Sequence, residues 1–169
     1  YRFCSARTDA GDAGLHNREG VLEVSAAARD ARNVFVKHGA VRMSKESNGF
    51  EHEDKTPFFW LADTWWMLMT GRVTWPDGFR TLTADRVKKG FTVVQTVLGF
   101  QPDTAPFDGQ DSNAGGFPWE RDYARINPGY FDECDLKIEW LVRSGIVPCI
   151  LSGWGYHLIF MSEARARLH

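Results

Sequence analysis

The sequence predicts an α/β fold built around a parallel sheet, and three observations predict it. Continuous apolar runs occur at FFWLA (58–62), FTVVQTVL (91–98) and IVPCIL (146–151), the pattern of strands buried on both faces. A helical pattern falls in each interval between them. The composition can fill a core, with 43% hydrophobic and 25% charged residues in 169, so wholesale disorder is excluded.

The elements before this rhythm have β character. YRFCSA and VLEVSAA are short apolar-polar segments separated by the turn-rich DAGDAGLHNREG, which reads as the closing hairpin of a small sandwich over residues 1–30. ARDARN follows as a polar connector. FVKHGAVRMS and GFEHED are then joined through KESNG, where Asn48-Gly49 is a hairpin turn signal. FFWLA is the first core strand, inside TPFFWLADTWW (56–66).

Thr74 is the expected cap of a helix over 76–89, with Pro76 in its first turn. Phe79, Leu82 and Val87 share a face, Lys88 and Lys89 occupy the last turn, and Gly90 closes it. FTVVQTVL is the second strand. The stretch 99–129 is too polar and too rich in Gly and Pro for a core element. Asn127-Pro128 opens a helix over 128–144 with Phe131, Cys134, Ile138 and Leu141 at helical spacing, and Gly145 follows it. IVPCIL is the third strand, and a further helical stretch starts near 161.

Two architectures fit strand-helix-strand-helix-strand: a (β/α)8 barrel and an open doubly wound sheet. A dinucleotide-binding sheet would carry G-x-G-x-x-G after its first strand, and ADTWWML has none. The barrel is the better reading. A complete barrel takes about 250 residues, so three strands are expected here. The chain opens at Tyr1 within a strand pattern and ends in the helical MSEARARLH, so it reads as a fragment.

In such barrels ligands bind at the C-terminal ends of the strands. The first strand end offers Asp63, Trp65 and Trp66. The second carries Gln95 and leads to Asp111, Asn113, Trp119 and Glu120, and the third gives Ser152, Trp154, Tyr156 and His157. Indoles with carboxylates and amides are what a sugar site needs: flat faces for the C–H side of a pyranose and polar groups for its hydroxyls. Each residue also has a structural role to weigh. Asp63 can cap a loop, Trp119 can anchor one, and His157 can be a packed histidine. Trp65 and Trp66 are adjacent and cannot share one face. Gln95 in a valine-rich strand is a buried amide that needs partners.

Other chemistries find little support. A net charge of −2 provides no basic face for nucleic acid. The three cysteines, Cys4, Cys134 and Cys149, form no CxxC pair and read as free thiols. CILSGWG lacks the glycine two before Ser152 that a nucleophile elbow requires. HxH and HExxH pairs are absent, so no metal is expected, and no apolar run reaches the ~20 residues of a membrane span. Asp132, Glu133 and Asp135 fall in the first turns of a helix, where acids favour the dipole.

KHGAVRMSKESNGFEHEDKTPFFWLADTWW, KKGFTVVQTVLGF and NPGYFDECDLKIEWLVRSGIVPCILSGWG together resemble the opening of the apiosidase-like glycoside hydrolases, from Val36 to the C-terminus. YRFCSARTDAGDAGLHNREGVLEVSA is similar to the tail of the Ig-like sandwich that often precedes that barrel. The resemblance implies a barrel domain over 36–169, cleavage of glycosidic bonds in complex plant-derived polysaccharides, no cofactor, and a secreted or periplasmic address. It also implies that the catalytic carboxylates, at the ends of the fourth and seventh strands, lie downstream of His169. Asp63, Trp65, Gln95, Trp119, Trp154 and His157 are then expected to hold an oligo- or polysaccharide substrate, with Asp63, Gln95 and Trp154 in one concavity. The alternative is a non-catalytic carbohydrate-binding module, a closed sandwich with a row of indoles, which helices at 76–89 and 128–144 would exclude.

Overall fold

The computed structural model describes residues 2–4, 19–21, 23, 31–46 and 48–167. They fall into two compact units, Tyr1–Ala31 and Arg32–His169. In the first unit, β1 (Arg2–Cys4) and β2 (Glu19–Val21) pair antiparallel, with Phe3 opposite Gly20. Most of the expected VLEVSAA strand and of the turn before it lies outside the described residues.

The second unit starts with α1 (Val34–His38), capped by Asn33, whose side-chain oxygen accepts from the amides of Phe35 and Val36. The same side chain donates to the carbonyls of Val142 and Arg143 at 2.7 and 3.1 Å. One asparagine thus satisfies orphan groups at the start of one helix and the end of another. An antiparallel sheet follows, β3 (Val41–Met43), β4 (Phe50–His52) and β5 (Pro57–Phe58), in that order. Its buried His52 packs against the rings of Phe58 and Phe35.

The main sheet is parallel, in the order β6 (Ala62–Thr64), β7 (Val93–Val97), β8 (Val147–Leu151). Helix α2 (Asp77–Lys88) joins the first pair and α3 (Pro128–Arg143) the second. The expected first strand is corrected. FFWLA is divided: Phe58 joins the antiparallel sheet, Phe59 is 75% exposed, and the parallel ladder begins only at Ala62, opposite Val93, just after Leu61, whose carbonyl accepts from the amides of Thr92 and Val93. The Thr92 hydroxyl secures this switch by donating to the Phe59 carbonyl at 2.6 Å and accepting from the Leu61 amide at 3.0 Å.

The two long helices follow the periodicity, except that Val87, expected on the buried face with Phe79 and Leu82, is 44% exposed and outside the core. Phe79 on α2 and Tyr130, Cys134 and Leu141 on α3 share a core with Val94, Ile146, Leu68 and Met69. Asn127 caps α3 by accepting from Gly129, with Pro128 in the first turn. Thr74 does not cap α2 through its hydroxyl; its carbonyl accepts from Phe79 instead, and Pro76 occupies the cap position. Gly90 and Gly145 both follow their helices at φ +81, the left-handed geometry that ends a helix without a Cβ penalty. The short helices α4 (Gly155–Leu158) and α5 (Glu163–Ala166) come after β8.

Sheet register decides which side chains look where. Asp63, Val94 and Pro148 form one row, and Thr64, Gln95 and Cys149 the next. Rows alternate between faces. Val94 packs on Phe79, Tyr130 and Leu141, so the Asp63 row faces the helices and the Gln95 row faces away from them.

Candidate active site

Beyond the C-terminal ends of β7 and β8 lies a cavity of about 170 Å³, lined by Phe100, Trp119, Tyr123, Trp154, His157 and Met161 among others. The loop after β7 builds one wall and the segment after β8 builds the other. Phe100, 1% exposed, is the hub, with ring centroids 4.8 Å from Phe107, 5.2 Å from Trp119, 5.7 Å from Tyr123 and 5.7 Å from His157. Phe107, Asp122 and Tyr123 all hold positive φ, at 65, 57 and 54°. Such conformations cost of order 1 kcal/mol or more each. They persist because the aromatic packing over-determines the loop.

A polar layer lies behind the rings. Asp111 is fully buried, and its Oδ1 accepts from the Gln101 amide at 3.1 Å and the Thr104 hydroxyl at 2.6 Å. Burial pushes its carboxyl above the ordinary range, against the opposing pull of those hydrogen bonds. Gln101 donates from its side chain to the Gly99 carbonyl, and its own carbonyl lies 2.6 Å from Nε2 of His157. His157 itself is 4% exposed. Nearby, Asn113 donates to the carbonyls of Met69 and Tyr130, tying the loop to α3.

The six expected site residues separate into two groups. Trp119, Trp154 and His157 line the cavity together. Trp154 also meets Trp66, edge to face, at 5.5 Å, and Gln95 lies on the same side of the sheet, facing away from the helices. Asp63 and Trp65 lie on the other side. Trp65 is 8% exposed in the helix-facing core, against Phe79. Its indole donates to Asp63 Oδ2 at 2.8 Å, and Arg86 on α2 pairs with the same oxygen. The expected concavity shared by Asp63, Gln95 and Trp154 is therefore corrected: strand alternation turns Asp63 to the helices. Burial pushes its carboxyl up, but the Trp65 and Arg86 hydrogen bonds outweigh that and hold it below the ordinary range.

Glu120 pairs with Arg125 at the surface, 3.3 Å away, and takes no part in the cavity wall. Sequence reasoning passed over Phe100, Gln101 and Tyr123. The only signal for them was the unusual run of aromatics in a stretch otherwise polar. Among the described residues no group of three His, Cys, Asp or Glu side chains converges as a metal site. No described helix is long and apolar enough to cross a membrane.

A cavity at the C-terminal ends of parallel strands, walled by the loops that follow them, is the arrangement of βα-barrel enzymes. Two solved structures share the fold. One is a glycoside hydrolase family 5 protein from Bacteroides vulgatus ATCC 8482, with TM-score 0.61 and 23% identity over 77% of this chain and 28% of that one. The other is described as a glycoside hydrolase, with TM-score 0.57 and 24% identity over 75% of this chain and 28% of that one. The chain thus spans little more than a quarter of either structure. No curated protein matches it. Residues 44–165 match the family described as "Apiosidase-like, catalytic domain", and the chain belongs to that family.

Proposed function

We propose that this chain supplies the first three βα units and the substrate-holding rim of a (β/α)8 glycoside hydrolase acting on complex plant-derived polysaccharides. The observation that carries the reading is the aromatic cavity at the strand ends, where Trp119 and Trp154 offer flat faces and His157 a polar group. Family membership supports the reaction class. Two carboxyl groups flanking an oxocarbenium-like transition state perform such hydrolysis. On this reading both come from strands beyond His169, consistent with the greater length of the two similar structures. Gln95, Trp119, Trp154 and His157 hold the sugar, whereas Asp63 and Trp65 brace the first strand behind them. The resemblance of the sequence over 1–30 to the tail of an Ig-like sandwich, and the secreted or periplasmic address that the resemblance implies, belong to the same proposal.

A carbohydrate-binding module built as a closed sandwich is disfavoured by the parallel sheet and by helices at Asp77–Lys88 and Pro128–Arg143. The test is to incubate the complete barrel with pectic and hemicellulosic polysaccharides and measure released reducing sugar. Release is expected, reduced about 10-fold or more in Trp154→Ala through lost stacking. Absence of release from every plant glycan would reject the reading.

A further inference from the structure

We propose that Gly99 is a positioning residue for the sugar site, seating the Trp119 indole where that ring can stack on substrate; this rests on the glycoside-hydrolase reading above. The first argument is a close approach. Gly99 lies just beyond the C-terminal end of β7, and a Cβ placed on it would fall 3.0 Å from Cη2 and 3.2 Å from Cζ3 of Trp119. Both carbons belong to the far edge of the indole, and a packed interior holds few contacts so short. The indole rests on glycine backbone where any other residue would hold it off. Gly99 also has φ +128°, a conformation open to glycine and costly for other residues.

The second argument is which partner would yield. Gly99 is held in place. Leu98 before it donates to the Leu151 carbonyl at 2.8 Å, and the Gly99 carbonyl accepts from the Gln101 side chain at 3.0 Å and the Tyr130 hydroxyl at 3.3 Å. Tyr130 is itself fully buried on α3. Trp119, by contrast, is half-buried and lines the cavity. Its backbone is bridged to Ile126, and its ring meets Phe100 at 5.2 Å and Tyr123 at 5.7 Å. A side chain at position 99 would therefore shift the indole, and with it one wall of a cavity of about 170 Å³.

The third argument is the sensitivity of stacking. Contacts between a sugar's C–H groups and an indole face are dispersion contacts, and a gap of 0.5–1 Å forfeits roughly a quarter to a half of each. Trp119 and Trp154 line the same cavity, so the spacing of the two platforms depends on Gly99.

Gly99→Ala introduces both a contact and a backbone penalty, and two further variants separate them. Gly90→Ala carries a positive-φ penalty alone, since Gly90 closes α2 at φ +81° with nothing within 4 Å of a Cβ. Trp119→Phe removes the contact, because a single six-membered ring has no Cζ3 or Cη2 atom at that reach. The probes are the monosaccharides D-apiose, D-xylose, L-arabinose and D-galactose, which undergo no hydrolysis, titrated calorimetrically into the complete barrel. At least one is expected to bind. Gly99→Ala should weaken it about 10-fold, and Gly90→Ala should leave it within about 2-fold. Urea unfolding completes a double-mutant cycle that needs no ligand. Gly99→Ala should lower the midpoint less in the Trp119→Phe background than beside Trp119, since the backbone penalty is common to both and cancels.

Equal affinity of Gly99→Ala and wild type overturns the proposal, as do equal losses in Gly99→Ala and Gly90→Ala or an additive urea cycle. Failure of all four sugars to bind wild type also overturns it. If Gly99→Ala does not fold, folding of its combination with Trp119→Phe supports the contact, and failure of that variant overturns it. If polysaccharide is still cleaved when the proposal is overturned, only this inference fails. If sugar binding depends on Gly99 but no glycan is cleaved, the positioning role stands and the hydrolase reading fails.

Discussion

Asp63 and Asp111 are two carboxylates with opposite electrostatic settings. Asp63 is held below its ordinary value, so its contribution to stability is present above roughly pH 4 and is lost as pH falls through the depressed value. Asp63→Ala leaves the Trp65 indole without its acceptor and Arg86 with Asp85 alone, and should cost about 1–3 kcal/mol at neutral pH. Asp63→Asn should flatten the acid limb of a stability-versus-pH curve measured by urea unfolding of the complete barrel. Asp111 is the reverse case. Its raised value means the folded state favours the protonated form, so burying the charge costs stability as pH rises through that value. Asp111→Asn keeps an acceptor for Gln101 and Thr104 and should be close to neutral at pH 7. Asp111→Ala leaves the Gln101 amide unpaired and the Thr104 hydroxyl with only the Gln101 carbonyl at 3.4 Å, and should destabilise by about 1–3 kcal/mol. Equal losses in the two variants would contradict this account.

At the scale of elements, the long loop after β7 is held to α3 by two devices. Lys137 is fully buried; its Nζ lies 2.8 Å from Glu133 and donates to the Thr70 carbonyl at 3.1 Å. The second Glu133 oxygen accepts from the Ala114 amide at 2.7 Å. Removing one partner of a buried pair leaves an uncompensated charge, so Lys137→Ala should cost roughly 3–5 kcal/mol in chemical denaturation. Next to this bridge, Gly115 lies against the backbone of Gly129. A Cβ at Gly115 would fall 1.9 Å from the Gly129 carbonyl oxygen, so Gly115→Ala must push the loop from the first turn of α3. Loss of monosaccharide binding together with a lower melting temperature is the expected result. The helices themselves were legible, because Phe131, Cys134, Ile138 and Leu141 repeat at helical spacing and all reach one core. The first strand was not. FFWLA reads as one run, but contacts from Thr92 and Val93, about 30 residues away, decide where the parallel ladder starts: their amides donate to the Leu61 carbonyl, and the Thr92 hydroxyl accepts from the Leu61 amide.

For the whole molecule, three parallel strands with helices on one side do not close a barrel. Among the described residues, β6 and β8 each pair on one side only, and exposed strand edges with apolar neighbours favour association. On the proposed barrel reading, these 169 residues expressed alone should scatter light and release no sugar, whereas a complete barrel should be soluble and active. A cooperatively melting, active 169-residue chain would contradict both expectations.

The sequence by itself determined the strand-helix rhythm, the ends of α3, the parallel sheet class and the rim on which indoles gather. These depend on periodicity and on capping residues a few positions away, which are local properties of the chain. It did not determine which rim residues face the ligand. Asp63 and Trp65 sit beside Trp66 in sequence but on the other side of the sheet, because one step along a strand reverses the side chain and the starting register depends on residues beyond Thr92. The cavity is likewise a tertiary product. Phe100, Trp119, Tyr123 and His157 span more than fifty positions, and packing onto the Phe100 ring brings them together.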